Sequence, residues 1–227
     1  MLPSKASHSK AKPKTLVLID SSNFHFILKH FGLYESEIRW GDFFHWLAGT
    51  RHASELEVRW IKPEKLVQTS THTAAGAAWL REARAKFRHV DNMYRRFEEQ
   101  YQEIRIQRTG FVRADPEQQL YLEEKGVDVA LGVELAWASR DESYDKIILI
   151  SGDSDLVYAV HKAQQSGKAV KLIAFCDTHR QPVNMSRALA RCANKVFKVY
   201  LSTLKSRFLL SPQHEGNTTA KKPLAVA

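Results

Sequence analysis

Two cysteines in 227 residues, Cys176 and Cys192, are too few for a disulfide framework, and their spacing is not that of a zinc site. Both fall in apolar surroundings, which predicts buried free thiols in a reducing, cytoplasmic setting. No apolar run approaches a membrane span. The first, Leu16 to Ile19, is too short for a signal-peptide core. Glycine is sparse, at ten residues. Neither GxGxxG nor a Walker A motif occurs, so dinucleotide and P-loop readings lack their phosphate cradles. No segment repeats.

What is present reads as one ordinary globular domain, 44% hydrophobic and 26% charged. Lys and Arg outnumber Asp and Glu by 34 to 25, a formal net charge of +9. That excess suits a polyanionic partner and equally a solubilising surface. Residues 1–14 are basic and aperiodic, and are expected to form a disordered arm. Residues 15–201 carry the domain. Residues 202–227 turn Ser-, Pro-, Lys- and Thr-rich and are expected to be a disordered tail.

Within the domain, short apolar runs alternate with helical patterns. Thr15 to Ile19, Lys146 to Ile150 and Ala169 to Phe175 read as buried strands. Leu56 to Ile61, Glu103 to Gln107 and Lys195 to Leu201 read as further strands. Helical spacing is expected after Asp20, from Phe43 to Leu47, from Ala74 to Gln100, from Asp128, from Leu156 to Ala163, and from Pro182 to Ala190. Glu64 to Thr73 is expected as loop, and Glu117 to Glu124 fits no one class. The helix after Asp128 is apolar nearly all round and is expected to be buried. The alternation predicts an α/β fold, a mostly parallel sheet with helices on both faces and right-handed crossovers.

Acidic residues recur where such a sheet keeps its sites. Asp20 ends the first strand. Asp153 and Asp155 follow the strand Lys146 to Ile150, and Asp128 starts the helix that feeds it. Each alone is explained as a helix cap. Together they repel unless a cation lies between them. With no His or Cys cluster, the donors suit Mg²⁺ or Mn²⁺. Asp20, Asp128 and Asp153 are the expected metal ligands, and Asp155 a ligand or water-orienting base. Asn23, Ser151, Ser154 and Glu134 are expected to support the site or touch substrate. Arg81, Arg84, Arg88, Arg95 and Arg96, on the polar faces of the long helix, are either a solvated surface or a track for nucleic acid, with Trp79 or Tyr94 to stack on a base. His25 and His161 follow the acidic turns but read as packed or surface histidines.

IDSSN at Ile19 to Asn23, KGVDVALGVE at Lys125 to Glu134 and ISGDSDLVYAV at Ile150 to Val160 stand in the order of the NYN domain family, the LabA-like, PIN-like nucleases, which the chain resembles over Thr15 to Leu201. The resemblance implies a Rossmann-like PIN fold and a divalent-metal-dependent endoribonuclease. It implies RNA, single-stranded or structured, as partner, and allows a homo-oligomer. Asp20, Asp128 and Asp153 match the family's metal-binding acids. Asp155 matches the second acid of its GDxD turn, and Asn23 the Asn of its DxxN start. Glu134 stands where many relatives have Asp; Leu156 and Tyr158 stand where Phe and Pro are common. A haloacid-dehalogenase-like phosphatase would need an acid at Ser22. A von Willebrand A metal site would need Ser at Phe24. A NYN-like module that binds without cleaving keeps all the same motifs.

Overall fold

The computed structural model describes residues 13–210. Most of the expected arm and the far end of the expected tail lie outside them. In chain order the elements are β1 (Lys14–Asp20), α1 (Ser21–His30), α2 (Trp40–Ala48), β2 (Leu56–Lys62), β3 (Lys65–Gln68), α3 (Ala74–Gln100), β4 (Ile104–Arg108), β5 (Phe111–Asp115) and β6 (Leu120–Lys125). They continue with α4 (Val127–Ala138), β7 (Tyr144–Ile150), α5 (Val157–Gln165), β8 (Ala169–Cys176), α6 (Arg187–Cys192), β9 (Lys195–Tyr200) and α7 (Leu201–Arg207).

Six strands form one all-parallel sheet in the order β4-β2-β1-β7-β8-β9. The chain winds outward from β1 in one direction, then returns to place β7 against its other side. That reversal leaves a crevice at the carboxyl ends of β1 and β7. Ile19 pairs with Ile150 there, so the turns after both strands open at the same level.

Strand alternation divides the core in two. Val17 and Ile19 point to one face, where α1, α2, α3 and α7 pack; Leu16 and Leu18 point to the other, beneath α4, α5 and α6. The first layer is strongly aromatic. Trp40, Trp60, Phe24, Phe43 and Phe44 are fully buried and meet edge-on, tilted or stacked. Trp40 is itself the first residue of α2, so that helix begins three residues before the expected Phe43.

Two sequence expectations are corrected and one open segment gains a structure. The polar stretch after Pro63 is not all loop, because Lys65–Gln68 pairs in parallel with β5. Leu120–Lys125 is the antiparallel partner of β5, completing a second, three-stranded sheet in the order β3-β5-β6. Its strands are short and half exposed, so they carry little of the apolar alternation that betrays a strand. Finally, the chain stays structured beyond Leu201: α7 places Leu204 in the core, and Phe208 follows it there.

Candidate active site

Asp20 is the last residue of β1 and is only 4% exposed. Its side chain caps α1, accepting from the Asn23 N–H at 3.0 Å. Its other oxygen accepts from Ser151 Oγ at 3.1 Å. Ser151 Oγ in turn accepts from the Asp153 N–H at 3.2 Å, and Asp153 accepts from the Asp155 N–H at 2.9 Å. One chain of short polar contacts thus runs from the end of β1 into the turn after β7. Asn23 Oδ1 closes it from the far side by accepting from the Gly152 N–H at 3.1 Å. The DxxN and SGDSD motifs therefore build each other, and Asn23 clamps the turn through the backbone.

Gly152 is pressed from outside as well. A β-carbon there would fall 1.6 Å from the Asn184 carbonyl oxygen, and the Gly152 carbonyl accepts from the Ser186 N–H at 2.8 Å. We expect Gly152→Ala to lower stability by about 3 kcal/mol or more, because rigid backbone would have to move. A urea unfolding curve whose midpoint matches the parent would contradict this packing.

Asp128 arrives by a different route. β6 ends at Lys125, and Gly126 turns the chain into α4 with φ +93°, a conformation that glycine adopts without strain. Gly110, at φ +70°, lies against that turn; a β-carbon on it would sit 2.0 Å from the Lys125 carbonyl oxygen. Asp128 then falls in the first turn of α4, beside the turn that leads into α5.

Electrostatics tie these acids into one site. Burial raises the Asp20 carboxyl to about 6, helped by the charges of Asp128 and Asp153 and opposed by its hydrogen bonds to Asn23 and Ser151. Asp128 is raised by burial and then by Asp153 and Asp155. All four expected acids thus share one edge of the sheet. Asp155 and Ser154 lie exposed in the short 3₁₀ turn before α5.

Two groups at this edge were not foreseen. Glu124, on β6, accepts from Ser22 Oγ at the start of α1. Burial pushes its carboxyl up to about 7, with Asp20 and Asp128 adding to the rise. Lys62 follows Ile61, which pairs with Asp20, and is 3% exposed. Its ammonium donates to the Pro63 carbonyl at 2.8 Å and to Asp91 at 3.1 Å, and lies 5.0 Å from the Phe87 ring centre. Neither is announced by its neighbours in sequence. The one hint for Glu124 is the alternation Leu120, Leu122, Glu124 running straight into KGVD.

Other expected residues lie elsewhere or do other work. Glu134 does not support the acids: Arg59 binds one oxygen and Gln107 donates to the other at 2.9 Å. It points about 240° around α4 from Asp128, toward β2 and β4. Tyr94 does not stack on substrate, being 3% exposed against Trp60. Trp79 packs on Tyr121 with ring centres 5.4 Å apart. His25 is held by Glu35 at 2.7 Å, and His161 is exposed. Arg81, Arg84, Arg88, Arg95 and Arg96 are all exposed on α3.

An acid-lined crevice at the switch point of a parallel α/β sheet is the arrangement of a PIN-like protein. A family model for the NYN domain matches residues 14–202, and the chain belongs to that family. NYN domains fall in the PIN-like nuclease superfamily, whose members are generally nucleases. Among solved structures the chain resembles a protein of unknown function, VPA0982, from Vibrio parahaemolyticus. The likeness has a TM-score of 0.50 and 16% identity over 89% of this chain and 99% of that one, so it speaks for the fold alone. No curated protein matches. No helix among the described residues is long and apolar enough to cross a membrane.

Proposed function

We propose that this protein is a divalent-metal-dependent endoribonuclease. The observation that carries the reading is the buried Asp20, whose charge is opposed by burial, by Asp128 and by Asp153 at one sheet edge. Such a set calls for a hard cation, and carboxylate oxygens suit Mg²⁺ or Mn²⁺. Asp20, Asp128 and Asp153 would hold it. When bound, such an ion makes water a better nucleophile and offsets the charge that builds on a phosphodiester. The chain's own residues do the rest. Ser151 and Asn23 fix Asp20 and the turn after β7. The exposed Asp155 orients the attacking water. The α3 arginines hold the phosphate backbone of RNA.

One observation favours a module that binds RNA without cutting it. Among the described residues, no three His, Cys, Asp or Glu are placed to hold a metal ion together. The chemistry of Mg²⁺ answers it, because this ion keeps several waters: one or two of the three carboxylates would touch it directly and the rest would hold it through those waters. The test is purified protein with end-labelled single-stranded RNA, with Mn²⁺ or with chelator. Internal cleavage at least ~10-fold faster with metal, and lost in Asp153→Asn, is the expected result. Tight binding with no cleavage under any divalent ion would sink the enzyme and leave the binding module.

A further inference from the structure

The helix expected to be wholly buried is not. On α4, Leu131 and Leu135 are fully buried, yet Val129 is 70% exposed, Val133 48% and Trp137 71%. These three, with the exposed Ala136, fall at i, i+4, i+7 and i+8 on the face turned from the sheet. The stripe continues sideways. Gly132 faces Ala159 of α5, whose β-carbon a β-carbon on Gly132 would meet at 3.9 Å, and Tyr158, the residue before Ala159, is 72% exposed.

This face is too large to be incidental. Trp137 and Tyr158 alone expose roughly 300 Å² of ring surface. With the valines and Ala136 it nears 500–600 Å², the upper end for a single patch on a monomer. A standard interface takes about 800 Å² from each partner, so this would be its apolar centre, with Arg140, His161 and Lys162 at the rim.

Shape and charge identify the occupant. A two-fold interface must complement itself. Here large rings, Trp137 and Tyr158, flank small residues, Gly132, Ala136 and Ala159. Beside Trp137 lies a hollow of about 320 Å³ walled by Arg59, Val133, Glu134 and Tyr144. A ring projecting next to a hollow lets each copy fill the other's. The face also lies across the sheet from α3 and its arginines, so the +9 charge of each copy is not concentrated where they would meet. We propose that two copies of this chain associate through the outer face of α4 and Tyr158. Because Asp128 begins the same helix, both acid sites would open beside the seam.

The test is the mass of the full chain by light scattering after size-exclusion chromatography, from 1 to 100 µM. We expect twice the 26.0 kDa of one chain. Trp137→Glu is expected to weaken the dimer at least ~30-fold; since the side chain is largely exposed in one chain, the variant's melting temperature should match the parent's at dilutions where both are single chains. Tyr158→Lys should act in the same direction, and Trp137→Phe should keep the dimer. A single-chain mass at all concentrations would overturn the proposal. So would a dimer unmoved by both charged variants, which would put the seam elsewhere. A monomer whose RNA affinity drops in Trp137→Glu would overturn it too, and give the face to nucleic acid. None of these readouts depends on cleavage, so the dimer and the nuclease stand or fall separately.

Discussion

Asp20→Asn is expected to abolish cleavage and to make the metal-free protein more stable. The two effects have one origin. A carboxylate held 4% exposed, facing Asp128 and Asp153, is kept for its charge and opposes folding because of it. Folding raises its pKa from 3.8 to about 6. The native state therefore binds this proton more tightly than the unfolded chain. Between those values the folded form carries more protons, so stability falls as pH rises through the window and stays low above about 6. The ionised group then costs about 3 kcal/mol at pH 8, taking 1.36 kcal/mol for each pKa unit. Asparagine keeps the oxygen that caps α1, and the amide nitrogen that replaces the other oxygen donates to Ser151 Oγ where the carboxylate accepted from it. With metal chelated, the variant should melt roughly 5–8 °C higher at pH 8. Its stability should lose the Asp20 share of the slope between pH 4 and 6, while Glu124, raised from 4.5 to about 7, keeps its own. Adding Mg²⁺ should stabilise the parent and leave the variant unmoved, while cleavage drops on the order of 10³-fold. A variant that melts below the parent in chelator at pH 8 would contradict this account of the site.

The same residues show what a sequence can disclose about such a site. Asp20, Asp128 and Asp153 were legible because Asp20 ends a strand, Asp128 comes just after the turn at Gly126 and Asp153 follows Gly152, and because the alternation of strand and helix places such ends at one edge. Glu124 was not. Its partner, Ser22, lies 102 residues away, and β6 is too short and polar to be read as a strand. The small sheet that carries it forms only because β5 offers both edges, to β3 and to β6. Glu134 misled for the opposite reason. It shares α4 with Asp128 and lies close to it in sequence, yet the turn of that helix gives it to Arg59. Trp137 shows a further limit: a helix apolar on every side does not say which side the fold will leave uncovered.

Changing Arg81, Arg84, Arg88 and Arg95 together to glutamine should break RNA binding while leaving the acids intact. At 100° per residue these four lie within about 60° of arc on α3, and Arg96 falls about 60° beyond its edge. From Arg81 to Arg95 the row runs about 21 Å. All five are exposed. Arg84 reaches Gln68 at 2.6 Å and Arg95 reaches Asp91 at 3.2 Å, surface contacts that contribute little to stability. What aims the row is a half-buried network around Lys62. Asp91 is gripped by Lys62 at 3.1 Å and by Arg108 at 2.8 Å, from the carboxyl ends of β2 and β4. Glu98 takes a second nitrogen of Arg108 at 3.1 Å. That network pins the middle of α3 to the sheet edge where Asp20 lies one strand away. A backbone laid along the arginines would therefore be led toward the acids. Four phosphate contacts to single-stranded RNA contribute a salt slope of about −2.8 in log K against log [salt]. Their loss should weaken binding on the order of 10²–10³-fold at 0.1 M salt and flatten the slope by that amount. KM should rise and kcat hold, the reverse of the Asp20→Asn pattern. If affinity and slope are unchanged in the quadruple variant, the arginines are a solvated surface and RNA enters by another route. If affinity falls but the slope does not, the contact is to bases, and α3 reads sequence where it was expected only to hold charge.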